Sequence, residues 1–282
     1  EEGAAADIME AELRSMGYAP HRKGNNVWAE ASARDDSKPT ILLDAHIDTV
    51  RPSAAWSRNP YDACIEDGRL YGLGSNDTGG SVVSLLAAFD FLAQRPQPYN
   101  LIYLASAEEE VTGEGGVRAV LGELGHIDFG VVGEPTGMNP AVAEKGLMVL
   151  DCTAHGRAGH AARNEGVNAI YKALSDIEWF RTHRFERVSP LLGPVKMTVT
   201  GVQAGTQHNV VPAECRFVVD VRTTDAYTNE ETVEIVRRHM RSEAVPRSTR
   251  IRASAVAPEH PLVGAAAALG VERFVSPTTS DM

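Results

Sequence analysis

"NLIYLASAEEEVTGEGGVRAVLGELG" (residues 100–125) holds three patterns in one stretch. An apolar run of strand length covers 100–107, a glycine-punctuated turn follows, and 116–125 repeats its apolar residues at helical spacing. A strand leading into a helix is the unit from which parallel sheets are wound. At the junction stand Glu108, Glu109 and Glu110. Three adjacent carboxylates repel one another, so either water screens them on a surface or a cation holds them in a site. Neighbouring residues of an extended chain point opposite ways, so not all three can face one ion.

The same grammar extends on both sides. Residues 4–16 predict a helix, and "NNVWAEA" and "TILLDAHI" predict strands. "SVVSLLAAFDFLAQ" predicts a helix and "DFGVVGEP" a further strand. Alternating strands and helices imply an α/β domain with a mostly parallel sheet and its loops at the strand C-termini. From about residue 141 the pattern changes. "AVAEKGLMVLDCTAHG" predicts one long strand, 166–182 an amphipathic helix, and "PVKMTVTGVQAG" and "AECRFVVDVR" alternating strands. Residues 228–241 predict a helix and "TRIRASAV" a last strand. That order, βαββαβ, is ferredoxin-like α+β. "PEHPLVGAAAALG" predicts a helix returning to the first domain. The expected organisation is a catalytic domain of 1–140 and 256–282, interrupted by a smaller domain of 141–255.

With 282 residues, 43% hydrophobic and 23% charged, the chain has material for a sizeable core. No run approaches the roughly 18–20 apolar residues that span a bilayer, and no signal-peptide pattern opens it, so no membrane partner is expected. Glu1 is not a start residue, which leaves an earlier segment open. Three scattered cysteines, Cys64, Cys152 and Cys215, argue against a disulfide framework and for a reducing, cytoplasmic setting. Each lies in or near a strand without a partnered histidine, against a nucleophilic cysteine hydrolase. A net charge of −11 argues against nucleic acid.

Potential metal ligands end the strand-like runs of the first domain. "ILLDAHIDTV" ends in His46 and Asp48, two apart and therefore on one face of a strand. A ligating histidine usually donates its other N–H to such an acceptor. Asp77 stands in "GLGSNDTGG" before a helix. This is not a dinucleotide loop, because its carboxylate would repel a pyrophosphate. "VVGEPTG" presents Glu134 before a proline. One imidazole and three carboxylates from four loops suit zinc, cobalt or manganese, and no CxxC points to a structural zinc. A carboxylate such as Asp77 can bridge two ions about 3.5–4 Å apart. A glutamate left free of them can act as general base.

The ordered set "HID", "GLGSNDTGG", "AEEEVTGEGG", "VVGEPTG", "GRAGHAARNEGVNA" and "GTQHNVVPAECRFVVDVR" resembles the co-catalytic zinc amidohydrolases. That family includes acetylornithine deacetylase, succinyl-diaminopimelate desuccinylase, aminoacylase and carboxypeptidase G. The resemblance covers nearly the whole chain, and its nearest branch looks like the acetylornithine deacetylases. It implies two zinc ions per subunit, with cobalt or manganese as substitutes. His46 and Glu134 would bind one ion, Glu110 the other, and Asp77 both. Asp48 would support His46, Glu109 would be the general base, and Glu108 would take the place of the usual aspartate. His160 would reach the partner's active site in a homodimer and stabilise the oxyanion, while Asn209 and Arg222 would contact substrate. The family's last ligand is a histidine several dozen residues after a "TSD"-like turn. Here Thr279, Ser280 and Asp281 form that turn and the sequence ends at Met282, so a C-terminal part is expected beyond it. His260 precedes the turn and is a poor substitute.

The expected activity is hydrolysis of a small N-acyl amino acid of the acetyl- or succinyl-ornithine, citrulline or diaminopimelate type, in arginine or lysine biosynthesis. Two alternatives stand beside it: a dipeptidase or carboxypeptidase on the same metals, and a non-catalytic binding protein with an incomplete site. The bland readings are a surface histidine at His160 and an ordinary strand-end ion pair at Arg222.

Overall fold

The apolar runs become strands buried on both faces, and their alternation divides the side chains between two layers. The computed structural model describes residues 2–280, which group as residues up to 138 together with 280, and as 139–279. The first unit contains α1 (Gly3–Ser15), β1 (His21–Lys23), β2 (Asn26–Glu30), β3 (Thr40–His46), β4 (Cys64–Glu66) and β5 (Arg69–Tyr71). It continues with α2 (Gly80–Ala93), β6 (Asn100–Ser106), α3 (Val117–Leu124) and β7 (Phe129–Val132). Its main sheet runs β1-β2-β6-β3-β7. The pairs β6–β3 and β3–β7 are parallel, and the β1–β2 hairpin joins β6 antiparallel, so the sheet is mixed.

Leu43, Ala45, Tyr103 and Ala105 face a core shared with Ala6, Met9 and Leu13 of α1 and Val82, Leu86 and Phe89 of α2. Leu42, Ile102 and Leu104 face the opposite core, with Trp28 and with Val120 and Leu124 of α3. Period-2 strands and helices with apolar residues three and four apart thus interlock on both sides of the sheet. Each large side chain fully buried there contributes about 1.5–3 kcal/mol. Because β3, β6 and β7 run parallel, the loops that follow them leave from one edge of the sheet.

The second unit contains β8 (Ala141–Glu144), β9 (Gly146–His155), β10 (Gly159–His160), α4 (Ala169–Thr182), β11 (Lys196–Ala204) and β12 (Val210–Val211). β13 (Glu214–Thr223), α5 (Asn229–His239), β14 (Glu243–Pro246), β15 (Ser254–Ala255), α6 (Pro261–Ala268) and β16 (Phe274–Ser276) complete it. The antiparallel order β11-β13-β9-β14, with α4 and α5 between its strands in sequence, is the expected ferredoxin-like arrangement. Its core joins Leu150, Phe217 and Val219 of the sheet to Phe180 of α4 and Val236 of α5. α4 is capped by Asn168, whose side chain accepts from the Ile170 N–H, and α5 by a Thr228–Glu231 capping box.

The structure differs from the sequence reading in three places. The single long strand expected over 141–156 is two strands in different sheets, broken at Lys145. β8 pairs with β15 and β16, and β9 with β13 and β14. The last strand of the ferredoxin-like sheet is Glu243–Pro246 rather than "TRIRASAV", of which only Ser254–Ala255 forms a strand, on β8. The segment from 256 groups through residue 279 with the second unit, where β16 pairs in parallel with β8. Asp281 lies outside the described residues. Among those described, no helix is long and apolar enough to cross a membrane.

Candidate metal centre

β3 delivers His46 to the sheet edge, 2% exposed. Its Nδ1 lies 3.0 Å from the Asp48 carbonyl and 3.4 Å from Asp48 Oδ1. The nearer acceptor is therefore the backbone rather than the carboxylate expected from the sequence. Either acceptor places the hydrogen on Nδ1 and leaves Nε2 to face outward. Nε2 stands 3.2 Å from Asp77 Oδ1 and 4.0 Å from Glu109 Oε2. Asp77 comes from the irregular turn Ser75–Gly79, and its side chain is half exposed. The next residue, Thr78, donates through Oγ1 to the His46 carbonyl at 2.7 Å and ties that turn to the end of β3.

Asp48 has a second use that its spacing from His46 does not reveal. Its Oδ1 accepts the Glu109 N–H at 3.1 Å and its Oδ2 the Glu110 N–H at 3.0 Å. Burial alone would raise this carboxyl, but the His46 contact and the two backbone N–H groups outweigh it and hold it below the ordinary range. Glu108 turns away at φ 57, and its Oε2 accepts the Gly115 N–H at 2.9 Å. A Cβ on Gly113 or Gly115 would overlap the Glu108 carboxylate, which is why this turn is built of glycines.

His46, Asp77 and Glu110 each offer a ligand atom within 4.8 Å of the others. Glu134, two residues beyond β7, stays outside that group, yet its charge acts on His46. Gly133 before it passes so close to α2 that a Cβ would collide with Ser81 and crowd Leu85. Burial lowers the His46 imidazole, but the Asp48 hydrogen bond and the charges of Glu109, Asp48 and Glu134 prevail and push it up to about 10. For Glu110, burial and then the charge of Asp77 act the other way and raise its carboxyl. An imidazole driven to hold a proton beside a glutamate driven to take one marks a site lacking positive charge.

The remaining expected residues lie in the second unit. His160 is exposed on β10, accepts the Ala162 N–H at Nδ1 (3.1 Å), and pairs across to Val210. Asn209 adjoins that ladder, its carbonyl accepting the Ala161 N–H at 2.9 Å. Arg222 is forked onto Asp220 at 3.0 and 3.1 Å, the ion-pair arrangement. His260 caps α6, accepting the Leu262 N–H at 3.3 Å. Thr279 donates to the Lys145 carbonyl. Cys152 is buried, and burial followed by the charges of Asp151 and Asp176 pushes its thiol up to about 12, which makes it inert as a nucleophile.

The sequence matches the family model of the peptidase dimerisation domain over residues 142–248 and that of peptidase family M28 over 26–126. It is 28% identical over 263 residues to succinyl-diaminopimelate desuccinylase 2 of Ruegeria sp. (strain TM1040), covering 86% of this chain and 66% of that protein. To acetylornithine deacetylase of Myxococcus xanthus it is 29% identical over 248 residues, covering 82% and 64%. The chain thus spans about two thirds of the length of these curated relatives. Its fold is similar to that of a tripeptidase from Staphylococcus aureus, with a TM-score of 0.74 at 18% identity over 98% of this chain and 79% of the other. It is also similar to a dinuclear metal-binding peptidase of the M20 family from Bacillus subtilis, with a TM-score of 0.68 at 19% identity over 100% and 79%. With its peptidase dimerisation domain over 142–248, its mixed α/β unit and these relatives, the chain is similar in sequence and fold to the M20 peptidases.

Proposed function

We propose that this protein hydrolyses the amide bond of N-acyl amino acids, releasing a carboxylic acid and a free amine. The observation that carries the reading is the convergence of His46, Asp77 and Glu110, with Glu109 beside them. Relatives named for desuccinylation and deacetylation support the acyl specificity. The donor set fits a divalent cation: nitrogen and oxygen ligands without sulfur, in a field short of positive charge. We assign two ions per subunit, zinc with cobalt or manganese as substitutes. His46 and Glu134 would hold one, Glu110 the other, and Asp77 both. When bound, such ions polarise a carbonyl and lower the pKa of water to about 7.

The rest of the chemistry belongs to side chains. Asp48 holds His46 through its carbonyl and the Glu109–Glu110 backbone through its carboxylate, so imidazole and glutamates are set by one residue. Glu109 takes the proton of the attacking water and returns it to the leaving nitrogen. His160, supplied by the other copy of a homodimer, donates to the carbonyl oxygen as negative charge develops there. Asn209 and Arg222 contact the substrate, and a substrate carboxylate would replace Asp220 on the Arg222 fork. The metal-binding part is the unit of residues up to 138, and the dimerisation and lid part lies within 139–279, where the dimerisation match covers 142–248. Its outer strand β11 is a largely exposed sheet edge, which supports a second copy as partner.

The test is a panel of acetyl- and succinyl-amino acids and dipeptides, assayed on full-length protein with added zinc or cobalt. Release of amine from N-acyl amino acids is expected. Cleavage of dipeptides alone would replace the reading with a peptidase, and no turnover with no bound metal would replace it with a binding protein.

A further inference from the structure

The loop that carries Glu109 and Glu110 is fastened at both ends by one side chain outside the metal-binding set. Asn26 opens β2 and is 0% exposed. Its Oδ1 accepts the Ala107 N–H at 3.1 Å, at the exit of β6. Its Nδ2 donates to the Gly115 carbonyl at 2.6 Å, at the entry to α3, and to the Lys23 carbonyl at 3.2 Å. The amide therefore spans the mouth of the loop 107–115, and β2–β6 pairing one residue on, Val27 to Ala105, fixes its position. Glu108 closes the same ring from within through the Gly115 N–H. Asp48 holds the middle through the N–H groups of Glu109 and Glu110.

We infer that Asn26 is a positioning residue for the Glu109–Glu110 pair, acting through the backbone at Ala107 and Gly115 without touching metal or substrate. Without the amide, the loop would keep its Asp48 contacts and its internal Glu108–Gly115 link, and small rotations about them would carry both carboxylates out of place. A buried amide with acceptor and donors all engaged removes that freedom, and no other side chain of this size carries two donor hydrogens together with a separate acceptor atom. Its consequence for ion binding rests on the function proposed above, but its consequence for the loop does not.

Two variants separate the roles. Asn26→Ala removes the clamp. Val27→Ala, at the next and equally buried position, weakens the same strand without touching the loop. Both are compared at a temperature where circular dichroism shows full folding. In metal-free protein, the amides of Glu109 and Glu110 should exchange with solvent at least tenfold faster in Asn26→Ala than in Val27→Ala. Zinc affinity, measured against a chelator buffer, should fall by about 10- to 100-fold in Asn26→Ala alone, as for other residues that support a ligand. Asn26→Asp, which keeps the acceptor and loses both donors, should fall on the Asn26→Ala side. Equal exchange in the two alanine variants would overturn the inference. If wild type binds no divalent ion, the proposed function fails, and the exchange comparison still decides the role of Asn26.

Discussion

Glu108, Glu109 and Glu110 are the same residue type in a row, and only their contacts tell them apart. Glu108 is spent on the Gly115 N–H, Glu109 lies 4.0 Å from His46, and Glu110 joins Asp77 and His46. Glu109→Gln keeps the shape and removes the proton acceptor, so turnover of an N-acyl amino acid should drop by about 100- to 10,000-fold. Metal content by atomic emission should stay at the wild-type value, and turnover within tenfold of wild type would take the base role from Glu109. The neighbouring glycines give a second prediction. Gly115→Ala sets a methyl group against the Glu108 carboxylate and should cost about 1–3 kcal/mol in chemical denaturation. In a Glu108→Ala background the cost should shrink, because the obstacle is gone, whereas additive losses would contradict the contact. The residue types of this site were legible in sequence, since His46 and the glutamates end strand-like runs and Asp77 stands in a glycine-rich turn before a helix. The hydrogen bonds that orient them were not. Asp48 reaches Glu109 across 61 positions and Asn26 reaches Gly115 across 89, and no local pattern records a partner that distant.

Elements were legible where periodicity alone decides them and illegible where a ladder changes partner. The alternation of 141–155 runs unbroken through Lys145, so it could not announce that β8 and β9 belong to different sheets. Gly146 carries the only local trace, because a Cβ there would lie 2.7 Å from the Ala253 nitrogen and 2.8 Å from the Ile251 carbonyl. The ends of α4 and α5 hold another feature that only folding brings together. Trp179 stacks on His183 at 4.4 Å and on His239 at 5.2 Å, and the His183 Nε2 is buried without a hydrogen-bond partner. Burial first, then the charges of His239 and Arg184, hold His183 below the ordinary histidine value of 6.5. The unfolded chain therefore binds more protons than the folded one as pH falls through 6.5. Stability is full above that pH and declines below it, until the lower native value is passed. Thermal midpoints measured from pH 8 to pH 5 should fall less steeply in His183→Gln than in wild type, and equal slopes would remove His183 as the cause.

At the scale of the whole chain, the ligands and the expected dimer contact belong to different parts. His46, Asp77, Glu110 and Glu134 all lie before residue 138, while the peptidase dimerisation match covers 142–248. A cation that binds only folded protein stabilises what it binds, by about 2.7 kcal/mol at a free concentration 100 times its Kd. Chelation should therefore lower the unfolding midpoint of the first unit and leave subunit association unchanged. The converse change acts on β11, whose outer edge exposes Thr200 and Val202. Lysines on an open edge strand oppose pairing with another strand. In the proposed homodimer, Thr200→Lys combined with Val202→Lys should shift the protein towards monomer in sedimentation, with metal content unchanged. If His160 serves the other copy's site, that monomer should retain its metals and lose most of its turnover. A monomeric variant of full activity would place His160 outside the reaction, and dissociation by chelator alone would show the two parts to be coupled.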